Sequence, residues 1–371
     1  MSAAAVSSEP SIPTVDLADL ASTADPAARA RAVTALREAF GVYGLVYVKG
    51  HGVSDVGALY DRFDTFTSRS LEEKQRFNRS DLWYQRGWTP PDTEKAVVAS
   101  GQPDFKECWF CAPEPLPAEM KAQYPEIFAD NVWPGDEELE ARAMRAGHEL
   151  HLAGLALLRG CALALGLPEG SLASRCEGGA HVFRLLRYLP LTAAQTKQKI
   201  LWGEEHTDFN LLTLLPGGRF HDPSGEVAPA PDSGSGLYLR TRPSAEHPDG
   251  QLVRGTAPAG CIVAQVGQQL EILSGGTFLA TPHVITAPHT PGWSRFSAAH
   301  FVHLNAHEIV FPLPEMRTPE AVRAYAPPVL AGTYSIKTLV DIGLAPKNAL
   351  DKLGYRHYER LATIRARETT S

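Results

Sequence analysis

The sequence predicts a mainly β fold: a double-sheet core of the sandwich or jelly-roll type, wrapped by helices at its N- and C-terminal ends. Three observations carry this. From about His181, short β-like runs alternate with Gly/Pro turns, at 181–189, 199–203, 208–215, 236–240, 260–266, 277–286 and 295–303. That spacing is the mark of an all-β double sheet. Before them, Pro26 to Phe40 and Asp136 to Leu167 carry apolar residues at helical spacing. After Pro312 the helical texture returns, from Pro319 to Tyr325 and from Asn348 to about Arg367.

The elements follow in order. Residues 1–13 read as a loose arm. The helix from Pro26 gives way to a short buried strand, Leu45 to Val48, held between the turn sequences Gly41-Val-Tyr-Gly44 and Lys49-Gly-His-Gly52. Val53 to Phe77 is expected to be helical with a break near Ser68–Ser70. Trp83 to Pro91 is irregular and aromatic-rich, and Asp104 to Cys111 alternates like a strand. The long helix from Asp136 should stop at Leu167-Pro168, because the residue before a proline is pushed out of the helical region. Residues 216–236 are rich in Pro and Gly and form a long loop, either a lid or a mobile surface insertion, the latter favoured. No linker divides the chain into independent domains. Its regions are 1–120 (N-terminal helices and strands), 121–180 (a helical segment packed on the core), 181–311 (the β core) and 312–371 (a C-terminal helical segment).

Composition narrows the class. Of 371 residues, 44% are hydrophobic and 21% charged, which excludes wholesale disorder, a collagen-like chain and a coiled coil. The net charge is −7 with no basic run. Neither a nucleic acid nor an anionic lipid surface is therefore an expected partner. The longest apolar stretch, Ala153 to Leu167, contains Arg159 and falls short of the roughly 20 residues that a membrane span needs. The N-terminus has no basic or apolar signal segment. Five cysteines make an odd count in a long chain, not a disulfide framework. The expectation is a soluble cytoplasmic protein with reduced thiols, a monomer by default. Cys108 and Cys111, on a strand, should face opposite sides and serve as inert packing.

The chemistry-bearing motif is His206-Thr207-Asp208. On a strand, side chains two apart share a face, with Cα atoms roughly 6.6 Å apart. An imidazole and a carboxylate so placed can converge on one cation. His283, in another strand-like run, is the favoured third ligand over His221, His247, His289, His300 and His303. Two histidines and one carboxylate leave three open positions, the facial arrangement of non-heme Fe(II) oxygenases, whereas a closed zinc site takes four protein ligands. Shortly after His283 comes Arg295-Phe296-Ser297. Here a guanidinium and a hydroxyl on one strand face make a carboxylate cradle. With open metal positions nearby, the natural ligand is a 2-oxo acid.

With these residues the chain resembles the isopenicillin N synthase-like superfamily of Fe(II)- and 2-oxoglutarate-dependent oxygenases. The likeness covers most of the chain: IPTVDLADL (12–20), ALREAFGVYGLVYVKGHGV (35–53), YQRGWTPPDTEK (84–95), DFKECWF (104–110), HTDFNLLTLLP (206–216), GLYLR (236–240), AQVGQQLEILSGGTFLATPHVI (264–285) and SRFSAAHFVH (294–303). The resemblance implies a double-stranded β-helix (jelly-roll) core. It also implies Fe(II) on His206, Asp208 and His283, which are both metal and catalytic residues, and 2-oxoglutarate bound at Arg295 and Ser297. O2 would be consumed and succinate and CO2 released as a small-molecule substrate is hydroxylated, desaturated or cyclised. The family often has a cosubstrate-binding tyrosine directly before a proline. Here Leu189 takes that place and Tyr188 precedes it, so Tyr188 is the candidate. Arg187, with Arg184 on the same strand, is a candidate anchor for a carboxylated substrate. Tyr84 and Phe209, with Trp83 and Trp88, are candidate pocket aromatics. The rival readings are an iron oxidase of the same superfamily that uses no 2-oxoglutarate, and a jelly-roll binding protein without turnover.

Overall fold

The structure is a computed structural model, and it describes residues 12–94, 104–197, 202–243, 245 and 247–353. In chain order its main strands are β1 (Thr14–Asp16), β2 (Leu45–Lys49), β3 (Gly87–Thr89), β4 (Lys106–Cys111), β5 (Val182–Tyr188), β6 (Gly203–His206) and β7 (Leu212–Leu215). They continue with β8 (Gly218–His221), β9 (Val227–Ala228), β10 (Gly236–Arg240), β11 (Leu252–Arg254), β12 (Ile262–Val266), β13 (His283–Thr286) and β14 (Ser294–Val302). Among the described residues, ten of these form one sheet in the order β1-β2-β12-β7-β14-β5-β4-β3, with the β8/β9 hairpin paired to β14. Four form a second sheet, β11-β10-β13-β6. Strands β1 to β4, from the N-terminal region, therefore belong to the same sheet as most strands of the 181–311 region.

Strand alternation sorts the side chains of the large sheet. Phe183, Leu185, Leu212, Leu214, Phe296, Ala298 and Val302 point outward and pack on Leu150, Ala153, Leu157 and Leu158 of the long helix Glu137–Ala164. Leu186, Tyr188, Val263 and Ala299 point inward and pack on Leu237, Leu239 and Ile285 of the small sheet. Because both faces of the large sheet are covered, its strands read as near-continuous apolar runs. A third cluster joins Trp83, Tyr124 and Phe128 to Ile336 and Leu339 of the helix Ala331–Asp341.

The long helix starts where Asp136 accepts a hydrogen bond from the Leu139 amide at 3.0 Å, and Glu137, Glu138 and Glu140 complement its dipole. It comes so close to the sheet that a Cβ on Gly154 would lie 2.9 Å from Val302 Cγ2. It ends at Ala164, a little before the expected stop, as Gly166 turns the chain into the left-handed region. The break expected near Ser68–Ser70 is present: Gly57–Thr67 ends there, and a Ser70–Glu73 capping box starts Leu71–Gln75.

Other expectations need correction. The 216–236 segment is not a structureless insertion, because it contains the β8/β9 hairpin, which extends the large sheet beside β14. In 208–215 only Leu212–Leu215 is strand, and in 277–286 only His283–Thr286. The helix Ala331–Asp341 was not anticipated. The 1–13 arm, the 199–203 run and the 348–367 helix fall largely outside the described residues. No helix among the described residues is long and apolar enough to cross a membrane.

His151, His181 and His300 are buried together near the outer face of β14, with His151 Nδ1 3.3 Å from His300 Nε2, and His303 is buried just past the end of that strand. Burial pushes all four imidazoles below their usual value of 6.5, His303 to about 4. Below pH 6.5 the unfolded chain therefore binds protons that the native chain refuses, and stability falls as pH falls. The melting temperature of the metal-free protein is expected to drop between pH 6.5 and about 4, and less steeply in His300→Phe. An equal slope in that variant would remove the cluster as the cause.

Candidate active site

His206 closes β6 and His283 opens β13, and the two are direct cross-strand partners. Their ring centroids lie 4.4 Å apart. Asp208 joins them, with Oδ1 3.8 Å from His206 Nε2, and one donor atom from each residue lies within 4.8 Å of the others. The H-x-D spacing does not work as a strand pair, however. β6 ends at His206, and Asp208 stands in the crossover that carries the chain from the small sheet to β7 in the large one. That crossover is pinned at both ends. The Gln268 amide donates to the Asp208 carbonyl at 2.8 Å, and the Leu211 amide donates to Val302 at 2.9 Å. Asn210 Nδ2 bridges to the Leu212 carbonyl at 2.6 Å.

The donor atoms are oriented from behind. His206 Nδ1 lies 2.7 Å from the Glu204 carbonyl, and His283 Nδ1 lies 3.0 Å from the Thr281 carbonyl. Each imidazole is thus fixed as the tautomer with a free Nε2. Asp208 Oδ2 accepts from Thr213 Oγ1 at 2.6 Å and from Gln265 Nε2 at 2.8 Å. Burial, then His283, hold His206 down at about 4. Burial pushes Asp208 up, but His283, His206 and the Thr213 and Gln265 hydrogen bonds outweigh it and leave its carboxyl lowered. At neutral pH His206 is a neutral imidazole and Asp208 a carboxylate, as binding of a divalent ion requires. The donor set suits ferrous iron, with three protein ligands on one side and open positions on the other.

Two cavities meet at this cluster. The first, of about 450 Å³, runs between the sheets and contains both the cluster and Arg295, Ser297 and Tyr188. The Arg295 guanidinium lies between the rings of Tyr188 (5.5 Å) and Phe220 (5.9 Å), and it has no acidic partner among the described residues. Tyr188 is stacked on Trp202. Gly218, at the start of the β8/β9 hairpin, makes room for the guanidinium: a Cβ there would lie 2.3 Å from Arg295 Nη2. Phe296 points the other way, into the outer core, as strand alternation requires.

The second cavity, of about 430 Å³, lies on the other side of the cluster and includes Phe209, Arg184 and His303. Of the three candidate substrate residues, only Phe209 lines it. Arg187, three residues from Arg184, points to the opposite face of β5, where it pairs with Glu107 at 3.3 Å and covers the Phe296 ring at 5.6 Å. Tyr84 packs at the edge of the third core cluster, Trp83 lies within that cluster, and Trp88 is buried with its Nε1 on Glu107. Cys108 and Cys111 do face opposite sides of β4. Burial pushes both thiols up to about 12, so they stay protonated.

Sequence reasoning missed Thr213, Gln265 and the Glu94–Arg184–Lys106–Asp104 ion cluster. A glutamine inside the apolar run Ile262–Val266 was the signal for Gln265. The ion cluster joins residues far apart in sequence and left no local signal.

The chain is similar to known proteins over most of its length. Residues 12–136 match the family model of the N-terminal region of the non-haem dioxygenase in morphine synthesis. The chain is 26% identical over 313 residues to the 2-oxoglutarate-dependent dioxygenase phqC of Penicillium fellutanum, covering 76% of this chain and 82% of the relative. It is 26% identical over 284 residues to homoarginine-6-hydroxylase of Oryza sativa subsp. japonica, covering 75% and 78%. The fold is shared with a full-length Neurospora crassa protein crystallised with alpha-KG. That likeness has a TM-score of 0.70 at 22% identity and covers 89% of this chain and 96% of the other. These likenesses support the resemblance to the Fe(II)- and 2-oxoglutarate-dependent oxygenases.

A divalent probe such as Co(II) is expected to bind at the His206/Asp208/His283 cluster. Gln265→Leu removes a hydrogen bond from Asp208 and should weaken the metal about 10–100-fold, read from the visible absorption of the bound ion. Unchanged affinity would mean that Gln265 does not orient the carboxylate.

Proposed function

We propose that this chain is a dioxygenase that oxidises a small organic molecule with O2 while converting 2-oxoglutarate to succinate and CO2. Hydroxylation is the simplest outcome, and desaturation and ring closure are variants of it. The observation that carries the reading is that the cluster of two histidines and one carboxylate shares a single cavity with an arginine that has no acidic partner among the described residues. The two facing sheets are read as a double-stranded β-helix.

In this reading His206, Asp208 and His283 hold iron, and Arg295 and Ser297 hold the far carboxylate of 2-oxoglutarate. Bound iron with its keto acid supplies the O2-activating chemistry. The chain does the rest. Arg295 offers a guanidinium fork in a half-buried setting where, among the described residues, no carboxylate competes for it. Tyr188 and Phe220 flank that fork and exclude water from its faces. Glu204 and Thr281 hold the imidazoles in the ligating tautomer, and Thr213 and Gln265 aim the carboxylate. The substrate enters the second cavity, with Phe209 in its wall. The Neurospora crassa fold neighbour was crystallised with thymine, a small molecule.

The test is an anaerobic titration with Fe(II) and then 2-oxoglutarate, following the visible charge-transfer band of a keto acid chelated to ferrous iron. A saturable band is expected, and it should disappear in His206→Ala. Arg295→Gln should raise the 2-oxoglutarate Kd at least about 30-fold, the equivalent of about 2 kcal/mol for an unmatched charge. Gly218→Val should raise it too, because the new side chain displaces the guanidinium without altering its charge. Iron uptake without a band would instead indicate the oxidase that uses no 2-oxoglutarate.

A further inference from the structure

The charges of the second cavity are already matched. Arg184 donates to both Glu94 oxygens, at 2.8 and 3.2 Å. Lys106 lies 3.0 Å from Glu94 and also pairs with Asp104. At the rim, Lys337 pairs with Asp341, and Glu205 pairs with Arg240. Among the described residues, no cation in this wall resembles Arg295, and an entering carboxylate would have to displace an acid that is already in place. The faces of the Arg184 guanidinium are also covered, by Phe110 at 5.2 Å and Phe301 at 5.3 Å. Phe209, Leu339, Ile342 and Leu344 make much of the remaining lining apolar.

Of the neutral polar groups in this lining, Gln85, Thr207, Gln268, Tyr334 and Thr338 are hydrogen-bonded to one another or to the backbone, and His303 differs from them. His303 closes the cavity beside Phe209, with their rings 5.2 Å apart. It is 6% exposed, and its Nδ1 is buried with no hydrogen-bond partner among the described residues. Its backbone is held, because the amide donates to His181 Nδ1 at 3.1 Å. His300 also has an unpartnered Nδ1 but lines neither cavity. Nδ1 itself is sealed from the cavity; Nε2 is not among the buried nitrogens and has no hydrogen-bond partner among the described residues, so it is the ring atom that a ligand can meet.

We infer that the second cavity selects an uncharged, mostly apolar substrate with a hydrogen-bonding group, and that His303 receives that group. The inference rests on the proposed oxygenase reading for its chemistry, but its binding part can be measured separately. Three probes share one bicyclic body: naphthalene, 1-naphthol and 1-naphthoate. Their binding to the full chain is measured by calorimetry at neutral pH, with and without Fe(II) and 2-oxoglutarate under anaerobic conditions. We expect 1-naphthol to bind about five- to tenfold tighter than naphthalene, the difference made by one neutral hydrogen bond, and 1-naphthoate to bind worst. His303→Leu should erase the preference for 1-naphthol and leave naphthalene affinity and the 2-oxoglutarate band unchanged. His303→Gln, which can still hydrogen-bond, should keep part of the preference. Tightest binding of 1-naphthoate, a preference that survives His303→Leu, or no binding of any probe would each overturn the inference. Loss of the charge-transfer band in the wild-type chain would instead count against the oxygenase reading and leave the probe ranking as an independent result.

Discussion

Between His206 and Leu212 the chain leaves the four-stranded sheet and joins the ten-stranded one. Much of the site depends on that passage. It ends β6 at one imidazole, sets Asp208 on a turn where its carboxylate can swing back toward the imidazole, and delivers Thr213 to the inner face of the large sheet, against that carboxylate. The turn is held by backbone bonds from Gln268 and Leu211 and by the Asn210 side chain. The strand pairing of His206 with His283 then closes the cluster from the other side. A slip of one residue in that register would turn one imidazole out of the site, because side chains alternate along a strand.

The two cavities on either side of this cluster treat charge in opposite ways. In the first, Arg295 stands between two aromatic rings with no acid beside it among the described residues, so its charge is available to an anion. In the second, Arg184 and Lys106 are already committed to Glu94 and Asp104. Both cations also border the first cavity. The ion cluster is thus a partition, whose neutralised charge keeps it from competing with Arg295 for a dianionic ligand. Buried pairs of this kind are weak sources of stability but costly to break, which suits a wall that must stay shut to anions.

Much of this was legible in the residues. The ligand types, the guanidinium and hydroxyl two apart on one strand, the opposed faces of Cys108 and Cys111 and the helices on either side of the β region all follow from short-range periodicity. The assignment of Arg187 as an anchor failed on that same periodicity, because it and Arg184 are three apart and cannot share a strand face. Residues 216–236 read as a loop because turn residues dominate them. Their short strands gain their hydrogen bonds from β14, a partner that no local pattern announces.

The sequence by itself determined which chemistry was available: two imidazoles, a carboxylate and a strand-borne arginine, on a chain whose alternation demanded a two-faced β core. Only the tertiary structure decided that Asp208 works from a crossover and not from a strand, and that the β8/β9 hairpin lies beside Arg295. It also decided that Arg184 is neutralised while Arg295 is not, and that His303 borders a cavity and not the solvent. The reason is physical. Side-chain direction repeats every two residues in a strand and can be read locally, whereas the state of a charge or of a lone imidazole nitrogen depends on which distant group folding brings within hydrogen-bond reach.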